Sequence, residues 1–282
     1  ISLVKGAVNA ADYVTTVSPN YANELQFSFY AHGLEGVIAA NRGKLRGILN
    51  GIDMKANDPS TRKDLAARFT SRNHKGKAKC KAALQERLGL KVDPNVPIIA
   101  CISRLVGHKG FELVCQAFRG IMDMEVQFVL LGTGEWGYEQ FFRNAQNEYP
   151  GRVSANILYD GTLSDAIYAG ADLFLMPSIA EPCGLSQMFA MRYGTVPVVR
   201  MTGGLLDSVP AYNPEENTGL GFTFGSVDAG DMLGALYRAV GVYYDDKKAW
   251  DQLVTRDMEA DFSWDRSAQE YVDVYRTITG LE

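Results

Sequence analysis

The sequence predicts an α/β protein built on a doubly wound parallel sheet. From residue 97 onward, short apolar runs rich in Val, Ile and Phe alternate with longer stretches of helical period, which is typical of βαβ units. Runs that are apolar throughout indicate strands covered by helices on both faces. The 282 residues, 46% hydrophobic and 22% charged, suffice for one large α/β unit or two domains and are unlike disordered chains.

Six apolar runs are predicted to be the strands of this sheet. They are Pro97 to Ser103, Val126 to Leu131, Val153 to Leu158, Asp172 to Met176, Val196 to Arg200 and Gly221 to Phe224. Helices are predicted over residues 111 to 121, 136 to 149, 162 to 170, 184 to 193, 204 to 209, 229 to 242 and 246 to 260. Because right-handed crossovers place every strand-to-helix loop at the carboxyl edge of the sheet, binding residues are expected there.

The first 58 residues have a different pattern. It predicts a helix (Leu3 to Ala11), a strand (Tyr13 to Val17), a short helix after Pro19 and a second strand (Gly47 to Asn50). Two strands do not make a stable sheet domain alone, so this stretch is expected to be the tail of a domain whose beginning is missing.

The remaining parts of the chain are a linker and a last helix. Residues 59 to 78 are polar and turn-rich, which predicts an interdomain linker. A final amphipathic helix is predicted to begin at Ser263 and to cover another surface with an apolar face. That face contains Ala268, Tyr271, Val272, Tyr275 and Ile278.

Charge and cysteine usage narrow the possible partners. The 28 Lys and Arg against 33 Asp and Glu give a net charge of −5, so no broad basic surface is available for nucleic acid or an anionic membrane. Four scattered cysteines without a C-x-x-C predict free thiols in a reducing compartment. Three isolated histidines give little basis for a zinc site, and no metal site is predicted. A bound phosphate must therefore be held by a local pocket.

Two loops after predicted strands carry residues suited to phosphate. Ser103 to Gly110 places Arg104 and Lys109 between a strand and a helix, where charge-assisted hydrogen bonds and the helix dipole would hold a diphosphate. The alternative is a pair of solvated surface cations. Leu131-Gly132-Thr133-Gly134 would allow a ligand to approach the backbone closely, although a lone G-x-G is also a common tight turn.

Two further loops and one tyrosine complete the candidates. Glu181, which opens the segment to Gln187, would accept hydrogen bonds from sugar hydroxyls, or it is a solvated carboxylate in a turn. Cys183 is predicted to pack, because no base adjoins it. Thr202-Gly203-Gly204 presents amides suited to phosphate oxygens, and Thr202 is also a candidate N-cap. Tyr159 is placed to stack on a nucleobase or to pack in the core or at its rim.

Taken together, these segments resemble the bacterial glycogen synthases and plant starch synthases. The matching motifs are Ala11 to Pro19, Gly47 to Asp53, Ser103 to Gly110, Glu181 to Gln187, Met191 to Thr195, Thr202 to Leu205 and Asp261 to Trp264. Their joint order is specific, and they cover most of the chain. Members of this family are ADP-glucose-dependent retaining glucosyltransferases of the GT-B type, with two facing Rossmann-like domains.

The resemblance implies a role for each candidate residue. Arg104 and Lys109 would hold the diphosphate, and Glu181 would hold the glucosyl unit and act with both cations in catalysis. Tyr159 would stack on adenine, and Ser186 would reach the phosphates. The remaining donor contacts would come from Cys183, Gly184, Leu185, Thr202, Gly203 and Gly204.

The resemblance also implies an activity and partners. Glucose would pass from ADP-glucose to the non-reducing end of an α-1,4-glucan with retention of configuration, without a metal or another cofactor. Residues 79 to 262 would form the nucleotide-sugar-binding domain and residues 263 to 282 a crossover helix onto the missing N-terminal domain, so the chain alone is expected to be inactive. The expected location is the bacterial cytoplasm, or a plastid for a plant or algal source.

Two alternatives to this function stay open at this point. One is a retaining GT-B glucosyltransferase that uses UDP-glucose. The other is a non-catalytic glucan-binding or regulatory domain.

Overall fold

A computed structural model describes residues 2–280. Eight strands lie within these residues: β1 (Val14–Thr16), β2 (Leu45–Gly47), β3 (Ile98–Ile102), β4 (Gln127–Leu131), β5 (Val153–Asn156), β6 (Leu173–Met176), β7 (Val196–Arg200) and β8 (Phe222–Phe224). Six of them form one parallel sheet in the order β5-β4-β3-β6-β7-β8, and β1 pairs with β2 in a separate parallel ribbon. The predicted doubly wound α/β fold is confirmed.

Thirteen α-helices lie within the same described residues. In the N-terminal segment they are α1 (Leu3–Ala10), α2 (Pro19–Glu24), α3 (Ser28–Ala31) and α4 (Glu35–Ala40). The helices around the large sheet are α5 (Lys75–Arg87), α6 (Phe111–Asp123), α7 (Trp136–Glu148), α8 (Gly161–Gly170), α9 (Ser186–Arg192), α10 (Gly203–Ser208), α11 (Ala229–Asp245) and α12 (Lys247–Glu259). The last is α13 (Trp264–Thr279).

The core lies on both faces of the large sheet. Every residue of β4 and of β7 is buried, as expected for parallel strands between two helical layers. An aromatic cluster joins α6, β4 and α7: the Phe118 and Phe128 rings lie 5.2 Å apart edge to face, and Phe142 stacks on Phe128 at 5.9 Å. Aromatic pairs in these geometries add to the stabilisation that burial of their area provides.

Element positions largely follow the sequence pattern, with a few differences. Helices α3 and α4 of the N-terminal segment were not predicted. The strand expected at Gly47 to Asn50 lies instead at Leu45–Gly47. Helix α5 was not predicted, and its first residues overlap the end of the linker expected at residues 59 to 78. The domain boundaries themselves stay predictions.

The order of the strands reverses between β3 and β6. From β3 the chain proceeds outward to β4 and β5, whereas β6, β7 and β8 follow one another on the other side. At such a switch point the loops that leave the two central strands diverge and open a crevice beyond their carboxyl ends. The two loops concerned connect β3 to α6 and β6 to α9, and they carry the strongest candidate residues.

The N-terminal segment is attached to the sheet domain through α2 and α10. Asp207 Oδ2 accepts hydrogen bonds from Ser18 Oγ at 2.5 Å and from the Asn20 N–H at 2.9 Å. The final helix starts on the same segment, where Ser267 Oγ donates to the Leu49 carbonyl at 2.6 Å. Its predicted apolar face is largely uncovered by the described chain, since Tyr275 is 63% exposed.

Two further findings concern membrane-spanning helices and the thiols. Of the helices in residues 2–280, none combines the length and apolar character that crossing a membrane requires. Cys80, Cys101, Cys115 and Cys183 are free thiols, and three of these four side chains are buried.

Candidate functional site

A cavity of about 370 Å³ opens at the switch point of the sheet. Its wall is formed on one side by the loop after β3, with Arg104 and Lys109, and on the other by the loop after β6, with Glu181 and Ser186. Segments far apart in the sequence thus bring together both predicted cations and the predicted carboxylate, as their places at the ends of neighbouring strands require.

The closest contact in this cavity is an ion pair. Lys109 Nζ lies 2.5 Å from Glu181 Oε2, and Ser178 Oγ donates to the same oxygen at 3.0 Å. Burial of a carboxylate is favourable only with such partners, and Glu181 is 6% exposed. A lysine ammonium has three hydrogen-bond donors. Among residues 2–280, only one side chain, Glu181, accepts a hydrogen bond from the Lys109 ammonium. Lys109 therefore retains donors for an anion in the cavity.

A glycine makes this pairing possible. Gly110 has φ +77°, and a Cβ there would lie 1.9 Å from the carbonyl oxygen of Pro177. The loop after β3 can therefore pack directly on the loop after β6 only with glycine at this position. The Ile179 N–H also donates to the His108 carbonyl at 2.9 Å. These contacts hold Lys109 beside Glu181.

Arg200 is a residue behind the candidate site that the sequence analysis did not single out. Its buried guanidinium donates to the carbonyls of Ser178 at 2.9 Å, of Gly225 at 3.2 Å and of Ile179. It thereby holds the loop that ends at Glu181. The sequence does contain a signal for this residue, since Arg200 is a charged residue at the end of the apolar run Val196–Arg200. A cation at the end of a buried strand needs hydrogen-bond acceptors at the edge of the sheet.

Positively charged side chains line the side of the cavity that the loop after β3 forms. Partial burial, together with the positive charges of Lys109 and Arg104, lowers the pKa of His108 below its usual value, although Glu181 and Glu135 oppose this effect. The His108 imidazole is therefore held towards its neutral form. Arg104 and Lys109 supply the positive charge that an anionic ligand would meet.

A second cavity, of about 280 Å³, adjoins the first. Ser103, Arg104 and Ser186 line both, and the second cavity continues to Gly132 and Tyr159. The Tyr159 side chain is 96% exposed, so it does not pack in the core and its ring is available for stacking. Gly132 has φ +157°, and a Cβ there would lie 1.8 Å from the Ser103 carbonyl oxygen, so this glycine serves close packing of two loops.

Cys183 and its neighbours divide between packing and the cavity wall. Cys183 is buried in a cluster with Ile52 and Met188, and burial raises the pKa of its thiol. A neutral, buried thiol is a poor nucleophile, which agrees with the predicted packing role. Gly184 and Leu185 line the first cavity.

Thr202, Gly203 and Gly204 lie behind the cavity wall rather than in it. The Gly203 N–H donates to Glu24 Oε1 at 2.9 Å, and the Gly204 N–H donates to the Glu181 carbonyl at 3.1 Å. Thr202 takes the N-cap position of α10, but its hydroxyl also donates to Glu24 instead of capping. In this structure protein oxygens therefore engage these amides, and direct contact with a ligand stays a prediction.

The structure contains no cluster of three or more His, Cys, Asp or Glu side chains suited to a metal ion within residues 2–280. The charged side chains that line the two cavities are the cations Arg104 and Lys109 and the carboxylates Glu181 and Asp160. The arrangement can hold a ligand with a ring at one end, an anionic centre near Arg104 and Lys109, and hydroxyl groups near Glu181.

Comparison with known proteins connects this geometry to carbohydrate-active enzymes. Residues 85–230, slightly more than half of the chain, match the family model of glycosyl transferases group 1, and residues 1–40 match that of the starch synthase catalytic domain. Among curated proteins, the glycogen synthase of Alkaliphilus metalliredigens is 44% identical over 99% of this chain, and that of Thermotoga petrophila is 46% identical over 98%. The chain spans 58% and 57% of their respective lengths.

Solved structures agree with the sequence comparisons. The catalytic domain of starch synthase IV from Arabidopsis thaliana, bound to ADP and acarbose, superposes with a TM-score of 0.91 at 40% identity, and covers 97% of this chain and 57% of that one. A sucrose-phosphate synthase from Thermosynechococcus elongatus, at 22% identity and a TM-score of 0.65 over 99% of this chain and 61% of that one, shares the fold. The resemblance to glycogen and starch synthases is confirmed, and the chain belongs to the glycosyl transferases group 1 family.

Proposed function

We propose that this chain contains the donor-binding half of a glucan synthase that transfers glucose from ADP-glucose to an α-1,4-glucan. The observation that carries the proposal is the pair of adjoining cavities that meet at Ser103, Arg104 and Ser186. A nucleotide sugar likewise has two parts, a nucleoside and a sugar, which a diphosphate joins. The relative bound to ADP and acarbose, at 40% identity, supports a nucleotide and a glucan as the ligands.

Each part of the donor has a proposed place. The adenine would stack on Tyr159 in the second cavity, and the diphosphate would lie against Arg104, Lys109 and Ser186 where the cavities join. The glucosyl unit would occupy the first cavity, with its hydroxyls donating to Glu181 and accepting from the backbone near Gly184 and Leu185. The segment from Thr202 to Gly204 would support this side from behind.

The proposed chemistry follows from the fixed cations. The bond between the anomeric carbon and the phosphate oxygen breaks with its electron pair leaving on ADP, while the acceptor hydroxyl bonds to the same face of that carbon. The acceptor's proton passes to the departing phosphate oxygen. Arg104 and Lys109 would stabilise the charge that develops on ADP, because preorganised cations act most strongly where charge appears in the transition state.

Nucleotide titration tests this proposal. Calorimetry on the chain as it stands is expected to show saturable binding of ADP, tighter than that of UDP. The absence of heat at millimolar ADP would count against any nucleotide-sugar site here. Tighter binding of UDP would favour a UDP-glucose enzyme of the same architecture.

Glucan synthesis requires a second assay. The chain spans 57 to 58% of the curated relatives described above, and we expect elongation of maltooligosaccharides only after the missing part of the enzyme is joined to it. Amylose capture that does not depend on ADP, with no elongation by the completed enzyme, would favour a glucan-binding or regulatory domain.

A further inference from the structure

One carboxylate of the N-terminal segment reaches into the sheet domain. Glu24, the last residue of α2, accepts at Oε1 from Asn20 Nδ2 at 3.0 Å, from Thr202 Oγ1 at 2.9 Å and from the Gly203 N–H at 2.9 Å. Its two partners in the sheet domain lie 178 and 179 positions further along the chain. This single oxygen therefore joins two distant parts of the sequence.

The other carboxylate oxygen of Glu24 destabilises the fold, which is not expected of a residue with a purely structural role. Glu24 Oε2 is buried and has no hydrogen-bond partner among the described residues. An unsatisfied buried polar atom destabilises the fold, and more so when it is charged. Local features that reduce stability in this way are expected mainly at functional sites.

The residues that Glu24 holds lie directly under the loop of Glu181. The Gly204 N–H donates to the carbonyls of Glu181 at 3.1 Å and Pro182 at 3.2 Å. A Cβ on Gly203 would lie 1.9 Å from the Glu181 carbonyl oxygen, and one on Gly204 would lie 2.2 Å from that of Cys183. The two loops are in such close contact that a displacement of one must move the other.

We propose that Glu24 is a positioning residue for recognition of the glucosyl unit, acting through Thr202, Gly203 and the backbone of Glu181. This inference rests on the proposed function, because it takes the sugar to lie beside Glu181. The nucleotide cavity is formed mainly by the loops after β3, β4 and β5 on the other side of the switch point. Substitution of Glu24 should therefore weaken binding of the sugar and leave binding of the nucleotide unchanged.

The test compares two ligands that differ only in the sugar. Calorimetry measures ADP and ADP-glucose binding to the chain and to its Glu24→Ala and Glu24→Gln variants. We expect Glu24→Ala to weaken ADP-glucose binding about 5- to 10-fold, because the hydrogen bonds that position the loops beside the sugar are lost. The affinity for ADP should stay within about 2-fold of wild type. Glu24→Gln keeps an acceptor oxygen and should retain most of the ADP-glucose affinity.

Glu35 provides the matched control. Its Oε2 is likewise buried without a partner among the described residues, but it belongs to α4, which packs against α1 and α3. Glu35→Ala is expected to leave the affinities for both ligands unchanged. A general effect of removing a buried carboxylate would appear in both variants, whereas positioning of the sugar would appear only in Glu24→Ala.

The inference is overturned if Glu24→Ala leaves the ratio of ADP-glucose to ADP affinity unchanged, whether both affinities stay as in wild type or both fall equally. If circular dichroism shows that Glu24→Ala does not fold, Thr202→Val, which removes only the hydroxyl that donates to Glu24, provides the same comparison. A wild-type chain that binds neither ligand rejects the proposed function and this inference together, whereas normal wild-type binding with an unmoved ratio rejects this inference alone.

Discussion

The two edges of the parallel sheet each carry a lysine paired with a carboxylate, but the two pairs have different surroundings. At the carboxyl edge, Lys109 pairs with Glu181 beside a cavity of about 370 Å³. At the amino edge, Lys81 pairs with Asp172 at 2.8 Å, beside a cavity of about 200 Å³. Residue type and pairing alone do not distinguish a binding site from a structural one here.

The number of acceptors around each ammonium does distinguish them. Lys81 also donates to the Tyr243 hydroxyl at 3.0 Å and to the Pro94 carbonyl at 3.2 Å. Its neighbour Lys77 donates to three carbonyls and to Thr195 Oγ1. Lys109 has the single acceptor Glu181 within the described part of the chain. Because an ammonium has three donors, the amino edge is saturated internally and the carboxyl edge can still bind a ligand.

Removal of Lys81 is expected to have the largest effect, and to affect stability alone. Among residues 2–280, Lys81→Ala leaves the Asp172 carboxylate with one hydrogen bond, from the Ile98 N–H at 2.9 Å. Breaking a buried pair in this way costs about 3–5 kcal/mol. Urea denaturation measures this loss. Lys247→Ala, at a 63% exposed side chain beside the same cavity, loses a contact with the Tyr243 ring and should lower stability by at most about 1 kcal/mol. If Lys81→Ala folds but no longer binds ADP, the proposed difference between the two edges of the sheet is wrong.

Removal of Lys109 should affect ligand binding instead. Lys109→Ala deletes a charge-assisted contact to the diphosphate, and we expect ADP affinity to fall by about 1.5–3 kcal/mol, roughly 10- to 150-fold. Calorimetry below the unfolding temperature measures the change, and Lys91→Ala, at an exposed lysine outside both cavities, is the control. Unchanged ADP affinity in Lys109→Ala would remove this lysine from the site.

Lys77 should be visible in the pH dependence of stability. Burial lowers the pKa of Lys77 from 10.5 to about 7, although the charge of Asp172 opposes this effect. Above about pH 7 the unfolded chain therefore binds a proton that the folded chain releases, so this lysine makes the free energy of unfolding increase with pH towards 10.5, by at most about 1.4 kcal/mol per pH unit.

The measurement compares urea denaturation of wild type and Lys77→Met from pH 7 to 9, because the cysteine and tyrosine contributions are common to both proteins and cancel in the difference. The wild-type free energy of unfolding should increase more steeply with pH than that of Lys77→Met. Parallel curves would show that Lys77 remains charged in the fold.

Tyr159 should give the smallest effect. Loss of one aromatic face that stacks on a base costs about 1 kcal/mol, so Tyr159→Ala should weaken ADP binding about 5-fold without loss of stability, because the side chain is 96% exposed. Tyr237→Ala, at a half-exposed tyrosine on α11, should leave ADP binding unchanged. Equal ADP affinity for Tyr159→Ala and wild type would place the base elsewhere.

Helix α5, which the sequence analysis missed, shows where sequence patterns lose information. The buried positions of α5 include Lys77, Cys80, Lys81, Leu84 and Gln85, which follow helical spacing. Three of these five residues are polar, so a search for apolar periodicity does not find the helix. Their burial is favourable only because carbonyls and a carboxylate from other elements surround them, and those partners are far away in the sequence.

The sequence by itself determined the alternation of strands and helices and the edge of the sheet that carries the ligand residues. Local apolar runs specify buried parallel strands, and crossover handedness then places Arg104, Lys109 and Glu181 at one edge. Only the tertiary structure decided which cations remain available, that Arg200 and Glu24 hold the loops around Glu181, and that Tyr159 is exposed. The physical reason is that hydrogen-bond saturation is a sum over acceptors from distant segments, which no local pattern contains.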